Sequence, residues 1–252
     1  MDTSPSPDTR PAALVAGASR GIGYAIARRL ACAGYDLTLS ARDAAALDEV
    51  AADLAELGAR VATVPADMAD EGTPRRVAAE HAERFGRLDA LVISAGVGSA
   101  APVAGYPVKR FDKQFSVNVR SPFLLIGECL ELLRATAARR PTTGAKIIAI
   151  SSVTAQAPEP GLAAYAASKA ALSALCAAVN TEESVHGVAA TAICPGYVDT
   201  DMSAWTHDRI PPEAMIAADD IAELAVSLTR LSRRAVVPEL AVLRSGSELW
   251  RA

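Results

Sequence analysis

A chain of 252 residues, 51% of them apolar, can bury one large core, and its net charge of -4 with scattered Lys and Arg leaves no basic track for nucleic acid. The four cysteines (Cys32, Cys129, Cys176, Cys194) form no CxxC pair and the three histidines stand alone, which points away from a metal site or disulfide framework and toward the reducing cytosol. No apolar run approaches the roughly 20 residues that cross a bilayer.

In chain order, the polar, proline-rich opening "MDTSPSPDTRP" (1–11) reads as a disordered tail and not a signal peptide, because it has no apolar h-region. Residues 12–252 read as one domain. Short apolar runs then alternate with segments of helical period, the pattern of parallel strands joined by crossover helices. The strand candidates are "ALVAG" (13–17), "DLTLS" (36–40), "RVATVP" (60–65), "LDALVIS" (88–94), "KIIAIS" (146–151), "VAATAIC" (188–194) and "LAVLR" (240–244). Helix candidates fill 22–33, 43–57, 71–85, 111–138, 163–186 and 219–231. The strands lack in/out alternation, as expected when both faces of a sheet are covered. The fold class is therefore α/β, a single-domain, doubly wound Rossmann fold on a seven-stranded parallel sheet.

Between the first strand and the first helix lies "AGASRGIG" (16–23). Gly17, Gly21 and Gly23 allow a sharp turn and close approach of a ligand, and the N–H groups that open the helix suit a pyrophosphate. The second strand ends in Ala41 and Arg42, without the acid that would grip an adenine ribose, while Asp36 sits at the strand's opposite end. Arg20 and Arg42 are expected to converge on a ribose 2'-phosphate, favouring NADPH over NADH. Further on, Tyr165 and Lys169 stand four residues apart in "YAASK", one turn apart on a helix face, where the ammonium should lower the phenol pKa. Ser151 and Ser152 end the fifth strand at the carboxyl edge of the sheet, where open α/β folds bind ligands.

Together with "AD" (66–67), "ISAG" (93–96), "SVN" (116–118) and "PGYVDTDM" (195–202), these ordered motifs resemble the classical short-chain dehydrogenase/reductase family, with a likeness to 3-oxoacyl reductases. The resemblance spans 12 to about 245. It implies Tyr165 as proton donor to a carbonyl oxygen, Ser152 as the group that holds that oxygen, Lys169 as the ribose contact that tunes the tyrosine, and Asn118 as support for a proton relay. It extends the cofactor set from Gly17, Gly21, Gly23, Arg20 and Arg42 to Ser19, Ile22, Asp67, Met68, Ala95, Gly96, Pro195, Gly196, Val198 and Thr200. The sequence departs from the family pattern at Ala16, at Ser94 and in the carboxyl-terminal "ELAVLRSGSELWRA". Trp205, Ile210, Met215, Gln156, Pro158 and Tyr197 are candidate substrate contacts.

The implied activity is NADP(H)-dependent reduction of a ketone or 3-oxoacyl group to a secondary alcohol, with no metal, by a cytoplasmic homodimer or homotetramer packed through helices 111–138 and 163–186. Its partners are small-molecule carbonyl or alcohol substrates, without nucleic acid or membrane. Two alternatives stand beside it: an NAD-dependent secondary-alcohol dehydrogenase, and a silent dinucleotide-binding regulator. The intact Asn118, Ser152, Tyr165 and Lys169 set argues against silence.

Overall fold

The computed structural model describes residues 10–246. Of the tail expected at 1–11, residues 1–9 lie outside that range. Arg10 donates hydrogen bonds to the carbonyls of Gly34 and Gly58, and Pro11 accepts one from Asp36 N, so these two residues are tied to the sheet.

Seven strands, β1 (Ala12–Ala16), β2 (Asp36–Ala41), β3 (Val61–Pro65), β4 (Ala90–Ile93), β5 (Ala145–Ile150), β6 (Val188–Pro195) and β7 (Glu239–Val242), form one parallel sheet in the order β3-β2-β1-β4-β5-β6-β7. The helices are α1 (Gly21–Cys32), α2 (Ala44–Glu56), α3 (Thr73–Phe85), α4 (Val108–Phe115), α5 (Ser121–Arg139), α6 (Ala163–Glu183) and α7 (Ala218–Arg230). Successive strand residues point to opposite faces, so Ala13 and Val15 pack toward α1, α2 and α7, while Leu14 and Ala16 pack toward α3, α5 and α6. Two cores sandwich the sheet, which is why its central strands are apolar throughout. The chain leaves β3 at one edge and re-enters as β4 beside β1; the strand order reverses there, opening a crevice above the carboxyl ends of β1 and β4.

Two local departures from sequence expectation matter. The helix expected at 111–138 begins earlier, at Val108, and is broken by a π-helical turn at Ser116–Arg120 that carries Asn118. Propensity and period do not announce such a turn, since it inserts one residue per turn without changing the apolar face, and such turns concentrate at functional sites. The helix expected to run to 186 closes at Glu183 and finishes as a 3-10 turn, Ser184–His186, before left-handed Gly187. Asp36, at the strand end away from the crevice, is buried and paired with Arg60 at 2.6 Å, a structural role.

Candidate active site

The carboxyl edge of the sheet opens into a crevice of about 1230 Å³, larger than the roughly 300–1,000 Å³ of a pocket for one small ligand. Its floor is the glycine turn. Gly17 has φ 89° and takes the chain out of β1, with its N–H and that of Ala18 both donating to Ser40 O. A Cβ on Gly17 would lie 2.4 Å from Ala95 N, and one on Gly23 would lie 1.9 Å from Gly17 O. Backbone alone can occupy these places, which leaves a cradle for a pyrophosphate at the start of α1, whose N-cap Arg20 makes no side-chain cap.

Ala41, Arg42 and Asp43 line the end of the crevice beside β2. Asp43 is turned back to cap α2, accepting from Ala46 N at 3.2 Å. Arg42 makes no ion pair among the described residues. The expected convergence of Arg20 with Arg42 needs correction: Arg20 reaches across the crevice to Asp201, 2.8 Å away, and both side chains are 71% exposed. Asp67 and Met68 line the same end, Asp67 accepting from Ala69 N and Met68 packed against Ser121. Of the cofactor residues read from sequence, Ser19, Gly21, Ile22, Ala95, Gly96, Pro195, Gly196, Val198 and Thr200 also form the wall, whereas Gly23 stands behind it, as does Asn118 of the catalytic set.

The central cluster assembles from three elements. Ser152 follows β5 and caps the short 3-10 turn Val153–Ala155, while Tyr165 and Lys169 project from one face of α6. Gly98 makes room for the phenol, since a Cβ there would lie 3.2 Å from Tyr165 Cδ2. Lys169 Nζ donates to Ile150 O at 2.7 Å and lies 5.7 Å from the Tyr165 ring centroid. Asn118 accepts from Val97 N and donates to Val97 O and Ser168 Oγ, so the π turn is stitched to the loop after β4. Ser151, in contrast, turns into the protein, donating to Lys169 O.

The charge balance differs from the sequence expectation. Burial pushes the Tyr165 phenol up to about 12, with a hydrogen bond from Ser152 acting in the lowering direction. Burial also brings the Lys169 ammonium down to about 8. The lysine's bond to Ile150 keeps it against the ring rather than on the phenol oxygen, so desolvation outweighs its attraction. At neutral pH the tyrosine is a phenol, the form that can give a proton.

The outer end of the crevice was the least legible. Trp205 and Tyr197 line it in an edge-on pair, with Tyr197 donating to Glu159 at 3.0 Å and Arg209 over the Trp205 ring. Ile210, Met215, Gln156 and Pro158 are not on the wall, and Gln156 instead meets Glu239 on β7. Thr154, Leu162, Gly98 and Met202 were not anticipated and do line it. Thr154 is adjacent to Ser152 in a turn, and only that turn's geometry reveals it.

A family model described as "short chain dehydrogenase" matches residues 11–210. The chain is 34% identical to the 2-(R)-hydroxypropyl-CoM dehydrogenase of Xanthobacter autotrophicus, over 86% of this chain and 90% of that one. It is also 34% identical to the rhamnolipids biosynthesis 3-oxoacyl-[acyl-carrier-protein] reductase of Pseudomonas aeruginosa, over 86% and 88%. Among solved structures, the Pseudomonas aeruginosa RhlG/NADP active-site complex superposes with a TM-score of 0.83 at 31% identity, covering 92% of this chain and 94% of that one. The chain belongs to the short-chain dehydrogenase/reductase family of oxidoreductases. Among the described residues no helix is long and apolar enough to cross a membrane.

Proposed function

We propose that the protein reduces a ketone or 3-oxoacyl group to a secondary alcohol with NADPH. The observation that carries this reading is the half-buried Tyr165 phenol placed with Ser152 and Lys169 at the wall of a crevice that has a glycine cradle at its other end. The cradle fits a dinucleotide because Gly17 and Gly23, where a Cβ would strike Ala95 N and Gly17 O, let the turn fold tightly against its own backbone at the start of α1. Arg42, beside Ala41 where a ribose-binding acid is missing, fits the 2'-phosphate, and the solved relative bound to NADP is consistent with that preference.

Bound NADPH supplies a hydride from its nicotinamide to the carbonyl carbon. Ser152 Oγ–H holds the carbonyl oxygen, and as charge develops there the Tyr165 phenol delivers its proton. Lys169 then faces the phenolate left behind, an arrangement that favours the charged tyrosine only as the proton departs. The aromatic Tyr197–Trp205 wall favours substrates with an apolar body next to the carbonyl.

The protein acts in the cytosol as a homodimer or homotetramer. Support comes from the face formed by α5 and α6, where Phe123 is 62% exposed beside Phe115 and Leu175. The test is a panel of ethyl acetoacetate, acetoacetyl thioester and 2-octanone with either reduced cofactor, followed by the near-ultraviolet absorbance of the nicotinamide. Turnover with NADPH well above NADH is expected; preference for NADH, or for the alcohol with NAD, overturns the reading.

A further inference from the structure

Ser152 can hold a carbonyl oxygen only if its hydroxyl proton is free and aimed outward. A hydroxyl has one proton and two acceptor positions, and an isolated serine at a strand end rotates among three rotamers. Here both acceptor positions are filled by one neighbour. Thr154 N donates to Ser152 Oγ at 3.2 Å, and Thr154 Oγ1 donates to the same oxygen at 2.9 Å. Thr154 is 3% exposed and Ser152 7%, so water does not compete strongly for either bond. The turn is itself held, with Ala155 N donating to Ser152 O and Gln156 N to Val153 O.

We infer that Thr154 is a positioning residue for the proposed reduction: its hydroxyl, with its own N–H, occupies the acceptor side of Ser152 Oγ and so forces the serine proton toward Tyr165 and the carbonyl oxygen. Two consequences follow from the geometry. The serine stays in one rotamer before substrate arrives, and the threonine O–H polarises the serine O–H, making it a stronger donor to an oxyanion than an unaided serine. The hydrogen bond from Ser152 that favours the Tyr165 phenolate agrees with that direction of donation. This inference rests on the reading of the crevice as a hydride-transfer site.

Thr154→Val keeps the branched shape and the backbone N–H bond and removes only the hydroxyl. With ethyl acetoacetate or whichever panel compound the wild type reduces fastest, it is expected to lower kcat about 10-fold with KM changed less than about two-fold, the scale of one hydrogen bond to a developing charge. Thr154→Ser, which retains the donor, should recover kcat to within about three-fold of wild type. In a Ser152→Ala background Thr154→Val should change kcat less than about two-fold, because the threonine then has nothing to position. Without substrate, the ring Cζ carbon resonance of Tyr165, assigned by its loss in Tyr165→Phe, should shift in Thr154→Val and stay in place in Thr154→Ser. If Thr154→Val does not fold, Thr154→Ala removes the same hydroxyl and carries the same expectations. A wild-type kcat in Thr154→Val, failure of the serine variant to recover, or an equal loss in the Ser152→Ala background overturns the inference. A wild type that reduces nothing in the panel overturns the hydride-transfer reading instead, and the Tyr165 resonance still decides whether Thr154 directs Ser152.

Discussion

The two ends of the crevice are built by different means. At the cofactor end the backbone itself is the wall: the space at Gly17 and Gly23 is closed to any side chain by Ala95 N and Gly17 O. At the outer end the wall hangs on single side-chain contacts between distant segments, such as Tyr197 to Glu159 and Arg20 to Asp201, and its large apolar members Met202 and Trp205 are 52% and 55% exposed. An ion pair as exposed as Arg20–Asp201 contributes little to stability. Backbone-built geometry tolerates almost no substitution, whereas contact-built geometry can be retuned residue by residue.

That contrast can be broken by substitution, and the largest effect is expected at the cofactor end. Gly23→Ala must displace the turn and should lower the unfolding free energy by about 3 kcal/mol, the upper range for overpacking, as measured by urea denaturation. An unchanged midpoint would mean that the turn yields easily and the contrast is false. Next comes Tyr165→Phe, which should leave NADPH affinity near wild type and cut turnover at least about 100-fold, the scale of a lost general acid. Retained turnover removes the tyrosine from the chemistry.

Arg42→Ala should weaken NADPH by about 10-fold and NADH hardly at all, as read by fluorescence titration, because only the phosphate ester pairs with the guanidinium. Equal losses would assign the preference elsewhere. The smallest effect is expected at the outer wall: Trp205→Ala should leave NADPH affinity within about two-fold while changing the ranking of carbonyl substrates by a few-fold, since one face of an apolar pocket discriminates weakly. A large loss of NADPH affinity there would show that the two ends are mechanically one.

The same contrast explains what could be read from the chain. The sheet, its seven strands, the glycine turn and the Tyr165–Lys169 pair are legible because each depends on local period or on residues within a few positions of each other, and Ser152 is legible from its place at the end of the fifth strand. The π turn at Asn118 was hidden inside a continuous helical pattern. The direction of the Tyr165 shift was misread because sequence spacing reports the cation one turn away but not the burial that outweighs it. The pairing of Arg20 with Asp201 is not legible because the two lie 181 residues apart in the chain. The misplacement of Gln156 and Ile210 has the same origin: side chains in irregular segments take their direction from tertiary contacts.

The most direct test of the central claim follows the hydride itself. NADPH deuterated at nicotinamide C4, on each face in turn, is turned over with the best carbonyl substrate, and the product alcohol is weighed by mass spectrometry. One deuterium at the carbinol carbon from one of the two faces is the predicted result. An alcohol unlabelled from both faces would contradict direct transfer within this crevice.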